Sequence, residues 1–189
     1  MKLNFVTSND HKINEINYIL QGYGIELIQV KDLSIKEIQS ISIKDIVQDK
    51  TLKAFEKIMR PLIVEHTGMY IEAFGDLPGG LTQIFWESLG EIKIADLFSV
   101  LGDGKTKCVT TIGFCDGKII KQFTDEISGK IISSPIGEGD FDWDTVFQTD
   151  GFEKTFAQME FEEKCSISMR TKAIMKFIDY LKNEGTKNE

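Results

Sequence analysis

The stretch FVTSNDHK, residues 5–12, joins a predicted β-strand to a predicted α-helix through a short polar turn. Residues 2–6 alternate and are β-rich, and apolar residues recur at helical spacing after Asn9. Asn9 is suited to cap the helix, because its side chain can accept from free backbone N–H groups. Those groups, the positive end of the helix dipole and Lys12 favour a polyphosphate ligand. A capped helix with a solvated lysine explains the same residues, and the glycines and GK[ST] ending of a P-loop are missing.

The rest of the chain alternates helix and strand signals. Further helices are predicted over residues 45–59, 81–89, 94–101 and 166–181, and further strands over residues 25–30, 62–64, 107–115 and 118–135. We therefore predict a single α/β domain over residues 1–189, with a central mixed, twisted β-sheet flanked by helices and two lobes with a cleft between them. Residues 183–189 are expected to form a frayed polar tail.

Composition limits the class of protein. The 189-residue chain has 30 acidic and 22 basic residues and a net charge of −8. Proteins that wrap a nucleic-acid polymer normally present a basic surface, so we expect no such partner. Three cysteines without a CxxC motif argue against a disulfide framework or a structural zinc site. No apolar stretch is long enough to span a bilayer, and the first residues do not resemble a signal peptide. We expect a soluble cytoplasmic protein with no membrane partner.

The acidic residues Glu15, Glu37, Glu65 and Asp76 lie near turns early in the chain, and Glu37 and Glu65 are candidates for a metal site and a general base. Hydrolysis of a phosphoanhydride needs Mg²⁺ held by one or two carboxylates plus substrate phosphates, and a base that activates water. The apolar run 62–64 predicts a buried strand with Glu65 and His66 at its C-terminal end, where open α/β sheets bind ligands. His66 suits a base or a ligand of a softer metal, and a structural histidine is the alternative.

A second polar set lies toward the C-terminus. Trp143 can stack on a purine, and the acidic residues beside it can accept hydrogen bonds from the N–H groups of the base. Lys164, Ser168 and Arg170, around the start of the last helix, can donate to base carbonyls or phosphate oxygens. A core tryptophan and ordinary surface cations at a helix start are the structural alternatives. With residues 5–12, this set predicts a nucleotide whose phosphates and base bind at opposite ends of one site.

These motifs together resemble the inosine triphosphate pyrophosphatase family, and the likeness runs from about residue 3 to residue 181. The family patterns T-G-N-x-x-K, E-D-[ST]-G-L, A-L-G-G-x-P-G, F-G-[WY]-D-P and E-K…S-H-R are matched in order by TSNDHK at 7–12, EHTGM at 65–69, AFGDLPG at 73–79, FDWD at 141–144, and EK at 163–164 with SMR at 168–170. Five ordered matches are far more specific than any single one.

The resemblance implies hydrolysis of a nucleoside triphosphate to a monophosphate and pyrophosphate, which removes non-standard purine nucleotides from the pool. It implies Mg²⁺ as the cofactor, with Mn²⁺ as an alternative, and a homodimer. Residue by residue, it implies that Thr7, Asn9 and Lys12 hold the phosphates and that Glu37 helps to bind the metal. The base would be read by the later motifs.

The full set of candidates combines both lines of reasoning. The candidate catalytic residues are Lys12, Glu65, His66 and Asp76; the candidate metal ligands are Glu37 and His66; the candidate substrate-binding residues are Thr7, Ser8, Asn9, Lys12, Phe141, Asp142, Trp143, Asp144, Lys164, Ser168, Met169 and Arg170.

The chain departs from the family at His66, which stands where the family has aspartate, and at Met169, which stands where it has a base-reading histidine. Asp76 and Asp142 replace glycines, and Thr145 replaces a proline. Three interpretations follow: an active enzyme with shifted base choice, in which Asp76 or Glu65 supplies the missing carboxylate; a slow or metal-shifted enzyme that uses His66 with a softer ion; or a catalytically silent nucleotide sensor. Loss of a general base commonly costs about 10²–10⁴-fold in rate, so the sensor remains an alternative interpretation.

Overall fold

The computed structural model describes residues 1–102, 104–138 and 143–185. Its strands are β1 (Lys2–Val6), β2 (Glu26–Val30), β3 (Leu62–Ile71), β4 (Leu77–Gly79), β5 (Lys105–Cys115), β6 (Ile120–Ile131) and β7 (Phe147–Thr149). Its helices are α1 (Asp10–Ile19), α2 (Ile43–Ile58), α3 (Thr82–Leu101), α4 (Phe161–Ile167) and α5 (Met169–Gly185), with short 3₁₀ turns at Glu72–Phe74 and Phe156–Gln158. In this part of the chain, no helix is both long and apolar enough to cross a membrane.

All seven strands form one mixed sheet, in the order β2-β1-β3-β5-β6-β7 with β4 also paired to β3. β1 is parallel to β2 and to the start of β3, whereas β3, β5, β6 and β7 are antiparallel to one another in turn. The predicted hairpin between β5 and β6 is present, with Cys115 opposite Ile120. The structure therefore confirms a mixed α/β fold with a central sheet and flanking helices.

Helices cover both faces of the sheet, because alternate residues of β3 point to opposite faces. Ile63 packs in a cluster with Ile16 of α1 and Phe177 of α5, while Leu62 packs with Val47 of α2 on the other face. Farther along β3, on the face of Ile63, a third cluster packs α3 and β7 against the sheet; it includes Met69, Ile71, Trp86, Phe98 and Phe147. Both faces of the middle strands are thus buried.

Several predicted boundaries are confirmed and others are corrected. Asn9 caps α1 by accepting from the Lys12 amide at 3.1 Å. The two helices predicted over residues 81–101 lie within α3, where Gly90 has the non-helical angles φ 73° and ψ 164°. The last helix is wrong as predicted: it is divided into α4 and α5 at Ser168, and α5 runs to Gly185, past the expected start of the tail. Strand β7, within the long glycine-rich loop, was not predicted.

The main correction concerns β3, which runs on to Ile71 instead of ending at Val64. It is paired with β5 along its whole length. On its other edge, β1 reaches only Ile63 and β4 covers only residues 69–71. Among the described strands, none pairs with residues 64–68 on that edge. Glu65 and His66 therefore border a gap within the sheet, and they do not follow the end of a strand.

Gly68 is expected to be sensitive to the smallest substitution, because the backbone of β4 and a side chain of α2 approach it closely. A Cβ at this position would lie 2.3 Å from the Gly79 carbonyl oxygen and 2.9 Å from the Ile43 Cδ1 atom. Gly68→Ala should lower the free energy of unfolding by about 1–3 kcal/mol through overpacking, measured by urea denaturation. Lys107→Ala, which removes an exposed side chain from the neighbouring strand, is the control and should cost less than about 1 kcal/mol. Equal losses would contradict the steric argument.

Candidate active site

A cleft of about 310 Å³ opens at the gap in the sheet beside residues 64–68 of β3. Its walls come from the β1–α1 turn, from β3, from α2 and α3, and from the loops before α2 and β7. The lining residues are Thr7, Ser8, Asn9, Lys12, Glu37, Lys50, His66, Thr67, Gln83, Glu87 and Trp143. The phosphate-side candidates, the two metal-ligand candidates and the tryptophan predicted for the base thus share one hollow. Lys50, Thr67, Gln83 and Glu87 were not predicted.

The β1–α1 turn holds its predicted shape through local hydrogen bonds. The Asn9 amide donates to Thr7 Oγ1 at 3.1 Å, and Asn9 Oδ1 accepts from the Lys12 amide at 3.1 Å. The Lys12 side chain then reaches β3, where its Nζ lies 2.5 Å from Glu65 Oε2. The side chain of Glu65 is fully buried and that of Lys12 is 18% exposed. The lysine at the start of α1 is therefore a mostly buried ion-pair partner and not a solvated surface charge.

Glu65 is the centre of a wider ion-pair network. Its Oε1 accepts a hydrogen bond from Thr67 Oγ1 and lies 3.4 Å from an Arg170 guanidinium nitrogen. Arg170 also donates to Glu15 of α1. Burial alone would raise the pKa of Glu65, but the charges of Lys12 and Arg170 and the hydrogen bonds from Lys12 and Thr67 outweigh burial. The pKa of Glu65 consequently lies far below its usual value.

The network continues toward the base-side candidates. Lys164 of α4 donates to Asp144, and its Nζ lies 3.7 Å from Glu15 Oε1. Burial raises the pKa of Asp144, and the positive charge of Lys164 opposes that rise. Asp144 Oδ1 is buried without a hydrogen-bond partner among the described residues. This acceptor atom belongs to the neighbour of Trp143, which lines the cleft, whereas Asp144 itself does not.

Glu37 and His66 form a second polar centre on the opposite face of β3. His66 Nε2 lies 3.0 Å from the Gly80 carbonyl oxygen, and His66 Nδ1 lies 3.6 Å from Glu37 Oε1. Lys50 Nζ binds the other carboxylate oxygen, Glu37 Oε2, at 2.9 Å. Burial lowers the pKa of His66, and the charge of Lys12 lowers it further. Burial would raise the pKa of Glu37, but the charge and hydrogen bond of Lys50 lower it overall.

This second centre fits a divalent ion only in part. In the described residues, no group of three or more His, Cys, Asp or Glu side chains could hold a metal ion without other ligands. Glu37 Oε1 and His66 Nδ1 are two donor atoms 3.6 Å apart at the wall of the cleft. An ion held by these two residues would take its remaining ligands from substrate phosphates and water.

Several predicted residues do not line the cleft. Asp76 lies instead in a depression with Tyr70 and Lys107, because β3 extends past the cleft and β4 returns along it. Asp76 is therefore not among the described residues that line the cleft. Ser168 Oγ accepts from the Thr171 amide at 3.1 Å, which is the role of a helix cap at the start of α5.

The remaining candidates stand in three different positions. Met169 is 3% exposed and packs in the apolar cluster that includes Trp86 and Trp143, so it contributes an apolar surface. Arg170 and Lys164 act through the buried network described above. Phe141 and Asp142, predicted to shape the base pocket, lie outside the described residues.

The unpredicted residues were hidden by sequence distance. Lys50 lies on α2, where the apolar pattern marks only the residues that face the sheet, and its partner Glu37 belongs to the preceding irregular segment. Glu15 and Arg170 are separated by 155 positions. The sequence marks Glu15 only as an acidic residue near a turn, six positions after the cap and next to apolar residues that point inward.

The protein has a mixed α/β sheet, and a capped strand–turn–helix opens onto one cleft that is lined by lysines and carboxylates. This arrangement is that of an α/β protein with a site suited to phosphate. The chain belongs to the Ham1 family, whose model matches residues 3–180. This match confirms the family suggested by the motifs.

Named relatives cover nearly the whole chain. The dITP/XTP pyrophosphatase of Methanopyrus kandleri is 37% identical over 184 residues, which are 97% of each protein. Inosine triphosphate pyrophosphatase 1 of Trypanosoma cruzi is 34% identical over 176 residues, 92% of this chain and 89% of the relative. The solved structure of the Staphylococcus aureus Ham1 protein has the same fold, with a TM-score of 0.82 at 23% identity over 97% of this chain and 100% of that one.

The charge of Glu65 should contribute to stability in a defined pH range. Glu65→Gln should lower the free energy of unfolding by about 3–5 kcal/mol near neutral pH, because it leaves the buried Arg170 and the mostly buried Lys12 beside a neutral group. The folded-state pKa of Glu65 is lowered from 4.5, so the loss is full above pH 4.5 and shrinks as the pH falls below that value and the wild type is also protonated. Denaturation at several pH values measures it, with Glu126→Gln on an exposed strand position as control. A pH-independent difference would contradict the prediction.

Proposed function

We propose that this protein is a nucleoside triphosphate pyrophosphohydrolase that converts a triphosphate and water to a monophosphate and pyrophosphate. The observation that carries the proposal is the convergence of Lys12, Lys50, Glu37 and His66 on one cleft at the N-terminus of α1. Cations and free helix N–H groups suit a polyphosphate, and a neighbouring pair of metal-binding side chains suits cleavage of a phosphoanhydride. Relatives that are named dITP/XTP and inosine triphosphate pyrophosphatases support the same reaction.

The phosphate chain is proposed to bind along the turn Thr7–Asn9 and the two lysines. Each ammonium group is already oriented by a carboxylate, Lys12 by Glu65 and Lys50 by Glu37. This orientation fixes the donors before the substrate arrives, which lowers the entropy lost on binding. We assign Glu65 to positioning Lys12 and Arg170. Its strongly lowered pKa makes it a poor general base near neutral pH.

A divalent ion is proposed to complete the site, with Glu37 and His66 as its protein ligands. When bound, such an ion neutralises the charge of the phosphates and of the leaving pyrophosphate. Mg²⁺ is the ion that the family resemblance implies, and Mn²⁺ is the alternative. The chain itself would orient the substrate through Lys12 and Lys50, which approach the cleft from two helices.

The base is proposed to lie toward Trp143 and Asp144, and its identity is expected to differ from the family's usual choice. A buried methionine at position 169 cannot donate a hydrogen bond to a purine carbonyl. Asp144 has a buried carboxylate oxygen that can accept from an N–H group of a base. This combination favours a base edge with donors over one with carbonyls alone.

A substrate panel tests the reaction. ITP, dITP, XTP, dUTP and the common triphosphates should be incubated with Mg²⁺ and with Mn²⁺, and pyrophosphate and monophosphate measured. We expect pyrophosphate from at least one purine nucleotide. Tight binding without pyrophosphate would favour the silent sensor, which the loss of the family's aspartate at position 66 keeps as the second candidate. Neither binding nor turnover would remove both.

Lys50 offers a test that does not disturb the buried network. Lys50→Met should lower kcat/KM by roughly 10–100-fold, since a charge-assisted hydrogen bond contributes about 1.5–3 kcal/mol. Lys53→Met is the matched control, because Lys53 lies on the same helix and pairs with Asp49 outside the cleft. Steady-state kinetics on the best substrate of the panel measures both variants. Equal effects of the two changes would contradict the role of Lys50.

The remaining expectations concern the cell and the assembly. We propose a homodimer that acts in the cytoplasm, with the nucleotide as its ligand and without a nucleic-acid polymer or a membrane as partner. Light scattering coupled to size exclusion measures the oligomeric state directly.

A further inference from the structure

We propose that His66 Nδ1 and Glu37 Oε1 are the nitrogen and oxygen ligands of a first-row transition-metal ion, which the site binds in preference to Mg²⁺. The inference rests on the proposed function, because substrate phosphates must supply the other ligands. It concerns the kind of ion and the atom that binds it.

The hydrogen bond of His66 to Gly80 fixes which ring nitrogen is available. A backbone carbonyl oxygen can only accept, so Nε2, 3.0 Å away, carries the proton. The lone pair of the neutral ring is then on Nδ1. Metal-bound histidines commonly donate the second ring N–H to a backbone carbonyl in this way, which holds the ring and its tautomer.

Nδ1 lies opposite a carboxylate oxygen with which it makes no hydrogen bond. The separation from Glu37 Oε1 is 3.6 Å, beyond normal hydrogen-bond length. Two acceptors therefore point toward a common region. Two ligands at about 2.0–2.2 Å from one ion are about 3–3.6 Å apart when they are neighbours in its shell, so a cation fits between them.

The chemistry of the donors disfavours Mg²⁺. Mg²⁺ is held by oxygen ligands, usually one or two carboxylates with phosphates and water. Glu37 is the carboxylate that faces His66 Nδ1, and its other oxygen is bound by Lys50 at 2.9 Å. Imidazole nitrogen adds little affinity for Mg²⁺ but binds transition ions with increasing affinity along the series from Mn²⁺ to Cu²⁺.

The chain contains only two histidines, which makes the test specific. His11 is exposed in the first turn of α1 and does not line the cleft. The protein is loaded with Mn²⁺ and α,β-methylene-ITP, which cannot release pyrophosphate, and pulsed EPR measures ¹⁴N coupling to the ion. We expect histidine ¹⁴N coupling in the wild type and in His11→Gln, and its loss in His66→Asp. Labelling the wild type with ¹⁵N-histidine should change the coupling without any substitution.

Calorimetry on the same complexes gives an independent result. The ratio of Co²⁺ to Mg²⁺ affinity should fall by at least about 10-fold in His66→Asp relative to the wild type and His11→Gln. Bound Mn²⁺ without histidine coupling in the wild type would overturn this inference and leave the proposed reaction standing. Failure of the analogue to bind with any ion would overturn both.

Discussion

Arg170 and the two carboxylates that it joins, Glu15 and Glu65, hold the functional half of the fold together. The guanidinium comes from α5, Glu15 from α1 and Glu65 from the middle of β3. Buried charges are tolerated only when they are paired, because an uncompensated charge costs several kcal/mol. The three elements are therefore fixed relative to one another by charge as well as by apolar packing. Lys12, which binds the same Glu65, inherits its position at the cleft from that arrangement.

This arrangement explains how an acidic protein can be built to receive a polyanion. The buried network contains three carboxylates, Glu15, Glu65 and Asp144, and three cations, Lys12, Lys164 and Arg170. The net charge of −8 is therefore a property of the outer surface and says little about the cleft. Lys12 and Lys50 each lie against a carboxylate, so an arriving phosphate must share them. A nearby divalent ion would offset the negative charge of the carboxylates and phosphates that share these lysines.

Local signals in the sequence predicted most of the fold. The Asn9 cap, the β5–β6 hairpin and the two parts of α3 follow from capping, turn and periodicity rules that operate over a few residues. The length of β3 does not follow from such local rules. Its polar residues Glu65 to Thr67 are kept in a buried strand by β5 and by ion pairs from distant helices. Among the residues that line the cleft, most of those that belong to the five family motifs could be predicted from the sequence. Lys50 was missed, and Glu15 was noted only as an acidic residue near a turn, since the partners of both are set only by tertiary structure.

The interruption in strand pairing beside residues 64–68 has a thermodynamic consequence. The cleft beside this interruption exists only in the folded chain, so a ligand that binds there stabilises the folded state by mass action. At a ligand concentration of about 100 times Kd, the folded state gains roughly 2.7 kcal/mol. The rise in melting temperature can thus rank nucleotides and ions by affinity without any turnover, and the largest rise identifies the preferred ligand.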